Sequence, residues 1–321
     1  MKIAKRIARV LAACLAVLAV LVLGLYVGVT VKYSDYFSRA EAAFRIPGLR
    51  DGFVPQGFAY VPEAACYLAS GYMQDHSVSR VYVQQADGQV RWVELTDCDG
   101  AAYTAHAGGI AVNGNFVYLP GPEGLDVFLL EDILRQSRAA CIGTIAMEYE
   151  ADCCTFYDGY LFVGDFYRPE VYETPKSHHV TTPAGDANPA MIAVYKADAT
   201  AEFGLADSPV AAISVREQVQ GIGITEAGEI VLSTSYGFAS SYLWFYTWDE
   251  TRQGMLELGG NQVPLYYLDS ANLSHRAELP PMSEEVVCLD GKVYTLMESA
   301  CTKYRFGNLI RGTHVYAYEK P

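Results

Sequence analysis

The chain has 321 residues, 51% of them hydrophobic and 24 of them tyrosine, with a formal net charge of −14. That length and apolar content exclude a disordered chain and leave room for a large, aromatic-packed β core. The acidity excludes nucleic acid or anionic lipid as a partner held by charge.

Lys2, Lys5, Arg6 and Arg9 precede an uncharged run from Val10 to Val31. Its 22 residues suffice for a helix across a bilayer core of roughly 30 Å at about 1.5 Å per residue. A cleaved secretory signal has a shorter apolar core and a small-residue cleavage site, and GVTVKYSDYF at the end of this run offers neither. Residues 10–31 therefore read as a single-pass anchor in the cell membrane, 1–9 as a cytoplasmic basic segment and 32–43 as a linker on the extracytoplasmic side. Leu11-Ala12-Ala13-Cys14 has the letters of a lipoprotein box, but here the apolar run follows the cysteine, so the match is accidental. Lys2, Lys5, Arg6, Arg9 and Lys32 are the only charges before residue 33, so the remainder carries −19. It holds seven cysteines, Cys66, Cys98, Cys141, Cys153, Cys154, Cys288 and Cys301, with no zinc-type spacing. Disulfides and buried free thiols both stay open, since the compartment permits the former and the strand-like settings suit the latter.

Beyond residue 32 the pattern is alternating apolar and polar, and only Val127 to Ala140 contains a short helix. Five times a polar or small start, an apolar strand, a turn and a second apolar strand recur: QGFAYVPEAACYLASGY from Gln56, GGIAVNGNFVYLPG from Gly108, CCTFYDGYLFVGDF from Cys153, QGIGITEAGEIVLSTSY from Gln220 and EEVVCLDGKVYTLMES from Glu284. Asn113-Gly114, Asp158-Gly159 and Asp290-Gly291 supply the positive φ of tight hairpin turns. A third strand follows each hairpin, and a fourth follows the first four, as RWVEL, CIGTIAM, AAISV and PLYYL. The fifth unit lacks one, and AFRIPGL, Ala43 to Leu49, is available to supply it.

The prediction is an all-β, five-bladed β-propeller over residues 44–321, following the N-terminal transmembrane helix, with an N-terminal strand closing the last blade. Uneven spacing of 52, 45, 67 and 65 residues between Gly57, Gly109, Cys154, Gly221 and Val286 keeps six blades, or a β-sandwich, as alternatives. These repeats, and phrases such as VPQGFAY and QGIGITEAGEIVLS, resemble the β-propeller superfamily that includes extracytoplasmic lactonase-like and quinoprotein-like propellers, with no particular subfamily indicated.

In a propeller, first-strand starts and second-strand ends gather at one mouth of the central channel. Aligned on their turns, the hairpins bring Gln56, His106, Asp152, Gln220, Glu284 and Glu285 to first-strand starts and Asp165 and Glu298 to second-strand ends, with Tyr236 as a ninth mouth candidate on a wall shared with Tyr72, Tyr167, Ser235 and Ser299; Tyr236 and Phe238, in the connecting loop, are available to stack on a sugar. The leading expectation is a binding mouth for a small molecule, glycan or protein partner. An alternative is a metal-assisted hydrolase of lactone or glycoside type, in which the resemblance to lactonase propellers implies Ca²⁺ held by Asp152, Asp165, Glu285 and Glu298. A further alternative is a scaffold without a ligand, because polar rims are what this fold produces by default. His178-His179 falls in a Pro- and Thr-rich insertion expected to be solvated, and Cys153-Cys154 points to opposite faces of a strand. No GxSxG, HExxH or phosphate-loop motif is present, so whether the chain is an enzyme stays open at this level.

Overall fold

A computed structural model describes residues 2–321. Helix α1 (Lys2–Lys32) carries the apolar run and is long and apolar enough to cross a membrane, with its flanks exposed. Helix α2 (Ser34–Arg39) follows after Tyr33, whose N closes α1 on Val29 O and whose O accepts from Phe37 N to open α2, both at 3.0 Å, while its own φ of −103° and ψ of 27° set the two helices off from each other. The segment expected to be a linker is in fact packed. Tyr36 is 1% exposed and stacks on Tyr318 with centroids 5.3 Å apart and planes 9° from parallel. Phe37 and Tyr36 also meet the Tyr316 ring edge-on. Removing a buried ring leaves a cavity as well as lost contacts, so Tyr36→Ala should destabilise the propeller by about 3 kcal/mol in denaturant melts. An unchanged midpoint would show that α2 docks without supporting the fold.

Five sheets form the predicted propeller. Blade I comprises Phe53–Val61, Cys66–Met73, Arg80–Gln85 and Val90–Thr96, and blade II comprises Ala111–Asn113, Phe116–Gly121, Gly124–Leu129 and Gly143–Ala146. Blade III comprises Cys153–Tyr157, Tyr160–Gly164, Ala190–Lys196 and Ala211–Val215, and blade IV comprises Val219–Ile224, Ile230–Thr234, Ser241–Tyr246 and Leu273–Leu279. Blade V takes Ser283–Leu289, Lys292–Met297 and His314–Glu319, and Ala40–Arg45 closes it antiparallel to the last of these. The ring is thus shut by joining the two ends of the chain, which removes two open edges.

Two local readings need correction. PLYYL is not the fourth strand of blade IV: Asn261–Tyr267 runs parallel to Ala211–Val215 and, with Gln253–Leu258, widens blade III. Leu273–Leu279 takes the fourth position, because the hairpin before it crosses to cover the neighbouring edge. In blade II, Asn113 pairs with Phe116, so the turn residues are Gly114 and Asn115, with Gly114 at φ 55°. The Asp-Gly turns are as read, with φ of 46° and 79° at Asp158-Gly159 and 52° and 72° at Asp290-Gly291, both residues left-handed as a type I′ turn requires. The short helix is α3 (Leu130–Arg135), and the chain after it adds Arg138–Ala140 parallel to the outer strand of blade I. Next to that strand, Cys98 and Cys141 form a disulfide, while Cys66, Cys153, Cys154 and Cys301 are buried free thiols.

The axis is where glycine matters. Gly57 faces the backbone of Gly109 and Ile110, Gly109 faces Cys153 and Cys154, and Gly221 faces Glu285, each too close for a side chain. The inner strands consequently touch all the way round. Hydroxyls seal neighbouring blades: Ser70 Oγ donates to Ala107 O at 3.0 Å, and Ser233 and Ser283 share a 2.9 Å bond. The channel is filled below its mouth, which turns the mouth into a bowl.

Candidate functional site

The inner strands of blades I, IV and V are irregular where they reach the mouth. Register shifts fall between Pro55 and Gly57, between Val219 and Gly221, and between Ser283 and Val286. Gln56, Gln220 and Glu284 sit in these bulges. A bulge inserts an unpaired residue and re-aims its side chain. That is the local reason why three sequence-distant polar residues turn into one space.

The space is a cavity of about 530 Å³. Seven of the nine residues expected at the mouth line it: Gln56, His106, Asp152, Gln220, Tyr236, Glu284 and Glu298. Of the other expected wall residues Tyr72 and Ser235 do so, as does Phe238 of the connecting loop, whereas Tyr167 lines a different depression and Ser299 is buried. Asp165 and Glu285 are placed elsewhere. Asp165 is 2% exposed, accepts from Met191 N at 2.7 Å and meets His178 Nδ1 at 2.5 Å. His178 is itself buried at 4%, so that part of the histidine pair is packed where solvent was expected. Glu285 is fully buried, with Oε1 accepting from Ile222 N at 2.6 Å and Val286 N at 3.2 Å, and it ties blade V to blade IV. The four carboxylates proposed to share Ca²⁺ are therefore divided between the bowl and two interior positions. Among the described residues, the three acidic, thiol or imidazole groups whose ligand atoms lie within 4.8 Å of one another are Cys98, Asp126 and Cys141, and two of those are joined in the disulfide.

A hydrogen-bonded chain crosses the bowl floor. Gln56 Nε2 donates to Pro55 O at 2.8 Å and to Glu298 Oε2 at 3.0 Å. A backbone carbonyl only accepts, which fixes the amide orientation and turns Gln56 Oε1 toward His106 Nε2. His106 must then carry its proton on Nε2, leaving the Nδ1 lone pair available. The protein wall and then the Lys303 cation hold this imidazole down at about 4, so it is neutral at physiological pH. Its ring lies 4.6 Å from that of Tyr72, whose hydroxyl accepts from Lys303 Nζ at 2.5 Å.

Three carboxyls beside this chain are held above their ordinary range. Burial lifts Asp152 to about 7 against a bond from Phe166 N to its Oδ2 at 2.8 Å, with Glu150 and Asp165 adding to the rise. Burial lifts Glu298 to about 7, opposed by Lys303 and Gln56. Glu284 is 2% exposed and pushed well above the carboxylate range by burial and then by Glu298 and Glu285. Like charges at close quarters cannot both ionise cheaply, so Glu284 and Glu298 titrate as a pair. Aromatic rings complete the wall: Phe166 lies against Tyr172 at 5.6 Å and Tyr236 at 6.4 Å, and Arg168 covers the Tyr236 ring at 4.3 Å.

Sequence reasoning did not name Glu150, Phe166, Tyr172, Met282, Lys303 or Tyr304 as lining. The last two lie in the long segment between the second and third strands of blade V. The topology that places Glu298 at the mouth sends that segment there too, so its length was a usable signal.

Sheets and bowl together define a five-bladed propeller preceded by an apolar helix, with an acidic and aromatic mouth. No family model matches the chain, and no curated protein matches it. Its fold is similar to that of a PQQ-bound aldose sugar dehydrogenase from Streptomyces coelicolor, at 14% identity over 88% of this chain and 81% of that one, with a TM-score of 0.46. It is also similar to glutaminyl cyclase from Myxococcus xanthus, at 11% identity over 87% and 94%, TM-score 0.45. A third likeness is to an exo-β-1,3-galactanase from Phanerochaete chrysosporium, at 10% identity over 82% and 58%, TM-score 0.46. Likenesses this distant bear on neither ligand nor chemistry.

Proposed function

We propose that the chain is a membrane-anchored, extracytoplasmic propeller whose bowl binds a hydroxyl-rich small molecule of carbohydrate type. One observation carries this reading: among the described residues, Glu284, 2% exposed, and the half-buried Gln220 and Tyr236 face the bowl with no side-chain hydrogen bond to protein. Polar groups withdrawn from bulk water without a partner are costly, and a ligand's hydroxyls would supply the missing bonds. A protonated carboxyl both donates and accepts, as does a hydroxyl, while carboxamides and aromatic faces provide the remaining contacts of a sugar ring. Titration calorimetry of the full chain in nanodiscs against mono- and oligosaccharides tests it. Glu284→Gln and Tyr236→Ala should each weaken a detected ligand by about tenfold or more, the effect of one lost buried contact. Asp290→Asn, in a turn at the opposite end of blade V, should leave affinity unchanged. Equal affinity in all three variants would overturn the reading.

A hydrolase of glycoside or lactone type is the second reading, favoured by Asp152 and Glu298 both lifted to about 7 at one cavity. A carboxyl with that pKa is suited to general acid work. Turnover of a bound glycoside that Glu298→Gln abolishes without loss of binding would favour it over binding alone.

A further inference from the structure

The junction of α1 and α2 fixes which face of the propeller the apolar helix leaves from. Lys32 Nζ donates to Ser240 Oγ at 2.7 Å and lies 3.5 Å from Glu278, and Tyr33 OH meets the same Ser240 oxygen at 3.2 Å. Ser240 belongs to the connection between the second and third strands of blade IV, and Glu278 pairs with Tyr242 at the same end of the sheet. That end is the mouth. Eight residues later Ala40 pairs with Tyr318, at the far end of blade V. So α2 descends along the side of the propeller from mouth to far end. α1 ends at this clamp on the mouth side, and its residues 3–28 are exposed, so the helix leaves the propeller from the mouth end.

We propose that the bowl faces the bilayer, opening onto the lipid headgroup layer on the side from which α1 departs. This rests on α1 being a membrane span. Three features fit it. Val29 and Thr30 are already half-buried and Lys32 and Tyr33 are clamped on Ser240, so no free spacer separates span from mouth. Phe238, two residues before the clamped Ser240, is 76% exposed and lies 5.0 Å from Phe306 on the neighbouring blade. Lys303 and Arg305 are exposed on that same blade V rim. An exposed ring flanked by two cations suits the membrane interface, where rings sit at headgroup depth and cations meet phosphates. The bowl's ligand would then arrive along the membrane surface.

Power-saturation spin-label measurements on the full chain in phosphatidylcholine/phosphatidylglycerol nanodiscs test this. The native Cys14 reports on α1. In a Cys14→Ser background, Phe238→Cys reports on the mouth and Ala227→Cys on the far-end turn of blade IV. Cys66, Cys153, Cys154 and Cys301 are buried, and burial pushes the Cys288 thiol up to about 12, which keeps the native thiols silent. The expected result is a ratio of oxygen to aqueous-nickel accessibility at position 238 about fivefold above that at 227, for an aromatic seated at the interface. Lipid exposure at Cys14 with equal ratios at 238 and 227 would overturn the orientation alone. Aqueous exposure at Cys14 would overturn the span, and the orientation with it.

Discussion

Replacing Gly109 by alanine is expected to lower the melting temperature by about 6–10 °C, corresponding to about 3 kcal/mol for a domain of this size. Two effects oppose each other. Alanine restricts the unfolded chain and so stabilises by roughly 0.4–1 kcal/mol wherever the native backbone accepts it. Gly109 is not among the left-handed residues, so the backbone itself would accept it. The added methyl, however, would stand 2.6 Å from Cys154 N and 2.9 Å from Cys153 Cα. Those are backbone atoms of the next inner strand, and neither can rotate away as the end of a side chain would. Relief requires moving blades II and III apart, which also strains the Gly57 contact on the other flank. Overpacking therefore wins. Gly57→Ala should behave alike, and the double variant should cost less than the sum, because both open the same axis. A Gly109→Ala protein melting within a degree of wild type would show that the axis is looser than these contacts imply.

The repeat that made the propeller legible was carried by short-range chemistry. Asp-Gly turns with alternating flanks specify hairpins locally, and five hairpins in a row specify a closed ring. What was not legible depended on which sheet edge a strand would choose. PLYYL has the composition of an outer strand in either blade III or blade IV, and only its parallel pairing with Ala211–Val215 decides between them. The site shows the same division. Gln56, Gln220 and Glu284 could be placed at the mouth because each begins an inner strand. Their direction into the bowl depends on bulges that no local pattern announces. Glu284 and Glu285 are adjacent, yet one lines the cavity and the other ties two blades together, since successive residues of an extended chain point to opposite sides. Asp165 went astray for a related reason: Met191 N captures its carboxylate and turns it from the bowl.

The second large effect is on pH dependence. Asp152, Glu284 and Glu298 all titrate higher in the folded protein than in the unfolded chain, where carboxyls ionise near pH 4. Their neutral forms suit the buried bowl, so this contribution to stability is complete below about pH 4 and is lost as pH rises through about 7. The wild-type melting temperature should therefore fall between pH 5 and pH 8. Asp152→Asn combined with Glu284→Gln keeps the shape and removes two of the ionisations. The double variant should be more stable than wild type at pH 8 by about 2–4 kcal/mol, or roughly 5–10 °C, with the difference shrinking toward zero as pH falls to about 4. General repulsion in a chain of net charge −14 slopes the same way. The difference between variant and wild type isolates the bowl, because that background is nearly common to both. The sign also discriminates between ligands. A hydroxyl-rich ligand accepts protonated carboxyls and should shift the melting temperature most at low pH. A cation would be bound by the ionised forms, and its stabilisation should grow as pH rises. A wild-type protein more stable at pH 8 than at pH 5 in the absence of ligand would contradict the protonated bowl on which the carbohydrate reading depends.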